Sequence, residues 1–215
     1  MDPLPDHVCA PGIHMVRIDE DIVILAVIHD RYAALVGAAD HLVLGPGGAV
    51  RVTDAVQADL IAAGLIREGA PDPARRSAAV ARHDLVVPSA GFTPNALRAA
   101  AALTASALRF RRLSFAQMIA TSPRADAPGP PVSIQDLARV MSAARAAWPW
   151  MPLDGACLQR AFQLRALYAR HGFAVDWVFG VRTWPFAAHC WLQSGDRVLN
   201  DTLDRVGRYT PIMVV

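Results

Sequence analysis

The sequence predicts an α+β chain in two parts. Three observations carry that prediction. Residues 1–70 begin with closely spaced β-branched runs, helical spacing and helix caps take over from Thr93, and the chain closes on two strand-like runs around a turn. At 215 residues with 53% hydrophobic content there is material for one large or two small packed domains.

In order along the chain, Ile13 to Ile18 and Ile22 to Ile28 read as strands, and a turn at His29-Asp30 leads to a third strand over Tyr32 to Val36. An apolar, helix-like piece follows over Ala38 to Leu44, broken by Gly45-Pro46-Gly47-Gly48. A second helix starts with Thr53 as N-cap and carries Val56, Leu60, Ile61 and Leu65 at helical spacing. Strands followed by helices make residues 1–70 a small winged-helix-like domain. Residues 71–90, rich in Pro, Ala and Arg, read as a linker or crossover. Helices resume at Thr93-Pro94, an N-cap followed by Pro at the first helical position, and run to about Arg112. Pro123 to Pro131 is a break. Ser133-Ile134-Gln135-Asp136 resembles a capping box and opens a helix ending near Ala147, before Trp148-Pro149-Trp150.

The chemistry sits in residues 91–215. Cys157 opens an amphipathic helix through Arg170, with Phe162, Leu164, Leu167 and Tyr168 apolar and a stop at His171-Gly172. A thiol on that first turn faces free backbone N–H groups and the positive end of the helix dipole, which favour the thiolate. Ala188 to Gln193 and Arg197 to Asp201 flank the turn Ser194-Gly195-Asp196, and pairing Gln193 with Arg197 sets His189 opposite Asp201. Thiol, imidazole and carboxylate are the three parts of acyl-transfer catalysis. Each also has a plainer reading: Cys157 as a small buried residue, His189 as a satisfied core histidine, Asp201 as a strand end. Cys190 is expected to point away from His189, and Cys9 has no helix or His pattern around it.

These residues carry a family resemblance. The run Cys157-Leu158-Gln159-Arg160-Ala161-Phe162 with Leu164, Leu167, Arg170 and Gly172, then Gly180-Val181-Arg182, His189-Cys190-Trp191, Gly195 and Asp201, resembles the lasso peptide biosynthesis B proteins over about residues 90–215. The resemblance implies a papain/transglutaminase-like cysteine peptidase domain with Cys157 as nucleophile, His189 as base and Asp201 as its orienter. Cys190 departs from the family, which usually has a small residue there. The implied activity is removal of the leader from a ribosomally made precursor peptide. A separate ATP-using, asparagine-synthetase-like partner would then close the macrolactam, and the peptidase itself would need no cofactor. The N-terminal segment resembles the precursor-recognition domain often fused to this peptidase, in which the leader adds as a strand beside the third strand. Tyr32, Leu35, Ile61 and Leu65 are the candidate leader-binding residues. The same triad also suits a transglutaminase-like acyltransferase, in which an amine replaces water, and a non-catalytic precursor-presenting adaptor is the third alternative.

Composition narrows the field further. All 21 basic residues are Arg, so P-loop phosphate binding, Schiff-base and Ser-Lys chemistry are excluded. CxxC, HExxH and GxGxxG are missing too, and no metal site is expected. Residues 1–66 hold nine acids against Arg17, Arg31 and Arg51, a net −6, while residues 67–215 carry +8. A domain of charge −6 repels phosphate, which argues against nucleic-acid binding. The exposed-looking cluster Arg109, Arg111 and Arg112 reads as a solvated face or a contact for an acidic segment. The longest apolar stretch, Ala99 to Leu108, is too short to span a bilayer, and Met1-Asp2-Pro3-Leu4-Pro5-Asp6 lacks the character of a signal peptide. Three widely spaced Cys suit a reducing compartment, so a cytoplasmic protein is expected.

Overall fold

A computed structural model describes residues 7–89, 91, 93–121, 132–151 and 155–215. The N-terminal hexapeptide and the expected break at Pro123 to Pro131 lie outside the described residues. The chain divides into two compact units: residues 1–78 with 180–187 and 210–214, and residues 79–179 with 188–209 and 215.

In the first unit the elements run β1 (His7–Cys9), β2 (Ile13–Ile18), β3 (Asp21–Ala26), β4 (Arg31–Leu35), β5 (Leu42–Leu44), β6 (Ala49–Val52), α1 (Asp54–Ala62) and β7 (Ile66–Glu68). Two sheets result, β2-β3-β4 and β5-β6-β1-β7. Because β3 lies between two neighbours and is covered on both faces, Ile22, Val23, Ile24 and Leu25 are all buried, which is why its sequence is a continuous apolar run. Ile22 and Ile24 join Leu42, Val50, Leu60 and Ile66 in one core, with Leu35 and Leu65 packed against it. The three expected strands are present as β2, β3 and β4.

The helices of this unit differ from expectation. Ala38 to Leu44 is no helix: Ala38–Asp40 forms a single 3-10 turn, and Leu42–Leu44 is a strand pairing Leu42 with Val52 and Leu44 with Val50. Three consecutive apolar residues suit either state, and pairing with β6 decides the matter. The first unit therefore has one α-helix among its described residues, and the strands-then-helices order of a winged helix stops at β4. The Gly45-Pro46-Gly47-Gly48 break is as read. Gly47 (φ 65°) and Gly48 (φ 80°) both adopt left-handed backbone, and a Cβ on Gly47 would come within 3.0 Å of the Asp72 carbonyl oxygen.

The second unit begins with β8 (His83–Asp84), α2 (Pro94–Phe110), α3 (Phe115–Ala120), α4 (Ile134–Ala147) and α5 (Cys157–Arg170). It continues with β9 (Asp176–Arg182), β10 (Ala187–Ser194), β11 (Arg197–Val198) and α6 (Leu203–Val206); β12 (Thr210–Val214) is counted whole with the first unit, as are parts of β9 and β10. The caps are as their residue types dictate. Thr93 accepts from the Ala96 N–H, Ser133 from the Asp136 N–H at 3.1 Å, and Ser114 and Gln117 form a capping box the sequence reading overlooked. Helices α2, α4 and α5 pack together over small residues, Ala96, Ala99, Ala102, Ala107 and Ala144 being buried.

Two buried polar side chains fix α5 in this packing. Gln163 donates from Nε2 to the Leu103 carbonyl at 3.0 Å, and the Tyr168 hydroxyl donates to the Leu137 carbonyl at 3.1 Å. Against α5 stands a five-stranded sheet of order β12-β9-β10-β11-β8, with Phe162, Trp177 and Phe179 in aromatic contact.

Candidate active site

Cys157 is the first residue of α5, after Ala156, whose side chain supplies no cap. The opening N–H groups of the helix are thus left for the sulfur and for any anion near it. His189 and Cys190 are neighbours on β10, and both reach the Cys157 sulfur. Side-chain hydrogen bonds from Cys190 and then His189 act on that sulfur, and the Cys190 backbone N–H adds another. Together they outweigh burial and push the Cys157 thiol down to about 4.

Asp201 holds the other side of the ring. His189 Nε2 lies 2.5 Å from Asp201 Oδ2, with the two side chains only 3% and 11% exposed, while Asp201 Oδ1 accepts from the Thr202 N–H at 2.8 Å. Nε2 therefore carries a proton toward the carboxylate, and Nδ1 is the nitrogen left to exchange a proton with the thiol. For His189 burial is the strongest influence and acts downward, yet the bonds to Asp201 and Cys157 and their charges raise it to about 9. Burial likewise pushes Asp201 up, but His189, the Thr202 N–H and Arg205 bring it below its ordinary value. Between those limits the site is a thiolate–imidazolium pair.

The contact between His189 and Asp201 is as expected, although its route is different. The hairpin pairs Gln193 with Val198 and Ser194 with Arg197, one residue off the expected register, because the loop is the two residues Gly195-Asp196 and not three. Continued as a ladder, that register would place Cys190, not His189, opposite Asp201. The ladder stops first. Leu199 still donates to the Leu192 carbonyl, but the return bond goes from the Leu192 N–H to the Asn200 side chain at 2.7 Å, and the main chain turns there and brings Asp201 to His189. Asn200 is thus a positioning residue the sequence reading passed over, as is Tyr209, whose ring lies 5.2 Å from that of His189. Cys190, expected to point away from His189, reaches the Cys157 sulfur.

The remaining candidates are scattered. Leu35 and Leu65 pack on the first unit's core, Tyr32 pairs its ring with Phe186 at 5.7 Å, and Ile61 is exposed at the end of α1. Three positions apart on β4, Tyr32 and Leu35 project from opposite faces. Trp150 and Trp184 are exposed, by 71% and 87%. Arg109, Arg111 and Arg112 are solvated. Among the described residues no group of three or more His, Cys, Asp or Glu is gathered as for a metal ion, and no helix is long and apolar enough to cross a membrane.

A pH profile tests the ion pair directly. Iodoacetamide should alkylate Cys157 at a rate that holds through neutral pH and falls as acid takes the solution through about 4, because the thiolate is lost only there. Cys190, raised well above an ordinary thiol by its bond to Cys157 and by burial, should stay unlabelled. A rate that instead climbs between pH 7 and 9 would mark Cys157 as an ordinary thiol.

Comparison with known proteins yields no matching curated protein and no matching solved structure. The family described as the transglutaminase-like superfamily matches residues 99–214, a span that includes α5, the β9–β10–β11 hairpins and every residue of the Cys157-His189-Asp201 cluster. A match over more than half of the chain, on the elements that assemble this site, places the protein in the transglutaminase-like superfamily.

Proposed function

We propose that the protein is a cysteine peptidase that removes the leader from a ribosomally made lasso precursor peptide, with Cys157, His189 and Asp201 as its catalytic triad. The observation that carries this reading is the clamped imidazole, held by Asp201 through Nε2 and turned to a thiolate on an open helix terminus. Attack by the sulfur on the scissile carbonyl would give a tetrahedral oxyanion, for which the Cys157 backbone N–H is the nearest donor. His189, as imidazolium, protonates the leaving amine. The neutral ring then takes a proton from water, which releases the leader as a free carboxylate. The freed N-terminus of the core would pass to an asparagine-synthetase-like partner for ATP-dependent macrolactam closure.

Leader recognition is assigned to the first unit. Among the described residues β4 pairs with β3 alone in its sheet, so alternate N–H and C=O groups face outward and suit an added peptide strand. Full-length protein should bind labelled leader by fluorescence anisotropy. Of Ala33→Pro and Ala34→Pro, the one whose N–H faces away from β3 should weaken binding, through the loss of one donor. Equal affinity in wild type and both variants would remove β4 from recognition.

Membership of the transglutaminase-like superfamily favours one second reading, transfer of the acyl group to an amine. The product separates the two. Incubation with a cognate lasso precursor peptide, in ¹⁸O-water and with a primary amine present, should give a leader carrying one ¹⁸O. An amide product would establish the acyltransferase, and an intact precursor beside a freely alkylated Cys157 would overturn both.

A further inference from the structure

The proposed reaction needs one thiol, yet the site holds two. Cys190, 3% exposed, places its side chain and its backbone N–H against the Cys157 sulfur, and both cysteines are free. Cys190 also borders the indole of Trp177, which is fully buried. Cys157 itself is half-buried and so remains open to small reagents.

We propose that Cys157 and Cys190 are a redox pair, in which oxidation of the Cys157 sulfur is resolved by the Cys190 thiol into an intramolecular disulfide that reversibly blocks the site. The oxidant is a hydroperoxide. The Cys157 thiolate attacks its distal oxygen, so that an S–O bond forms, the O–O bond breaks, and the departing alkoxide takes a proton from the His189 imidazolium. Cys157 is then a sulfenic acid. The Cys190 sulfur attacks it, the S–S bond forms as the S–O bond breaks, and hydroxide leaves as water with the Cys190 proton. Two thiols are oxidised by two electrons, and the hydroperoxide becomes alcohol and water. A reducing thiol pair reverses the change. Without Cys190 nothing adjacent would trap the sulfenic acid, and further oxidation to the sulfinic acid would be irreversible.

The inference concerns the sulfur chemistry of the site and is tested without any peptide substrate, so its failure is distinct from failure of the peptidase reading. Full-length protein is treated with hydrogen peroxide, and intact mass, tryptic peptides and iodoacetamide labelling are followed. The three cysteines fall in separate Arg-ended peptides, residues 1–17, 146–160 and 183–197. The wild type should lose about 2 Da, two hydrogens, link peptide 146–160 to 183–197, and regain full labelling of Cys157 after dithiothreitol. In Cys190→Ala the mass should instead rise by about 32 Da, two oxygens, and labelling should not return. Sulfinic acid in the wild type as fast as in the variant, a disulfide through Cys9, or a Cys157 that peroxide leaves untouched would each overturn the pair.

Discussion

Cys157→Ala protein should leave the precursor intact while holding the leader as tightly as wild type does. Removing the sulfur takes away the atom that forms the acyl-enzyme. What remains is an imidazole fixed by Asp201 with nothing to activate. In acyl-transfer triads loss of the nucleophile costs on the order of 10⁶ in kcat, since the other members do not act alone. Affinity should not follow, because Tyr32, Leu35, Ile61 and Leu65 belong to the first unit and Cys157 to the second. Mass spectrometry of the precursor and anisotropy of labelled leader read the two effects separately. Appreciable cleavage by this variant would mean that another group is the nucleophile.

Asp201→Asn should fold normally and lose turnover by a factor on the order of 10² to 10⁴, as in other triads. The two carboxylate oxygens have different partners, Oδ1 the Thr202 N–H and Oδ2 the His189 ring. An amide has one oxygen. Kept on the Thr202 N–H, it presents its NH₂ to Nε2, which holds the proton on Nδ1, where the thiol proton needs an acceptor. Asp204→Asn is the control. Its carboxylate is 80% exposed and bound to Arg208 at 2.6 Å, so its loss should leave kcat unchanged. Equal losses at both positions would show that the defect is one of charge and not of proton placement.

How much of this site was legible in the sequence depended on the range of the interactions. The bounds of α5, from Cys157 to Arg170, follow from local spacing and the His171-Gly172 stop, and the capping at Thr93 and Ser133 is equally local. The pairing of His189 with Asp201 was legible in outcome but not in path. The register reading missed the two-residue loop, and the error was offset by the turn at Asn200. A side-chain acceptor that substitutes for a ladder bond leaves no periodic trace. Leu42–Leu44 failed for a related reason, since its partner strand β6 fixes its state and the residues themselves do not. The approach of Cys190 to Cys157 was not legible, because alternation along a strand predicts opposite faces for neighbours and says nothing of a helix end that meets both.

The first unit takes its residues from three stretches of chain, 1–78, 180–187 and 210–214. No single cut in the gene therefore separates the two units. A fragment ending at residue 78 would lack two segments of its own unit, and one starting at residue 79 would carry those segments without the rest of it. Grafting the leader specificity of a relative onto this chain would require three coordinated replacements, the last of them after Asp201 in sequence, and not the swap of an N-terminal module.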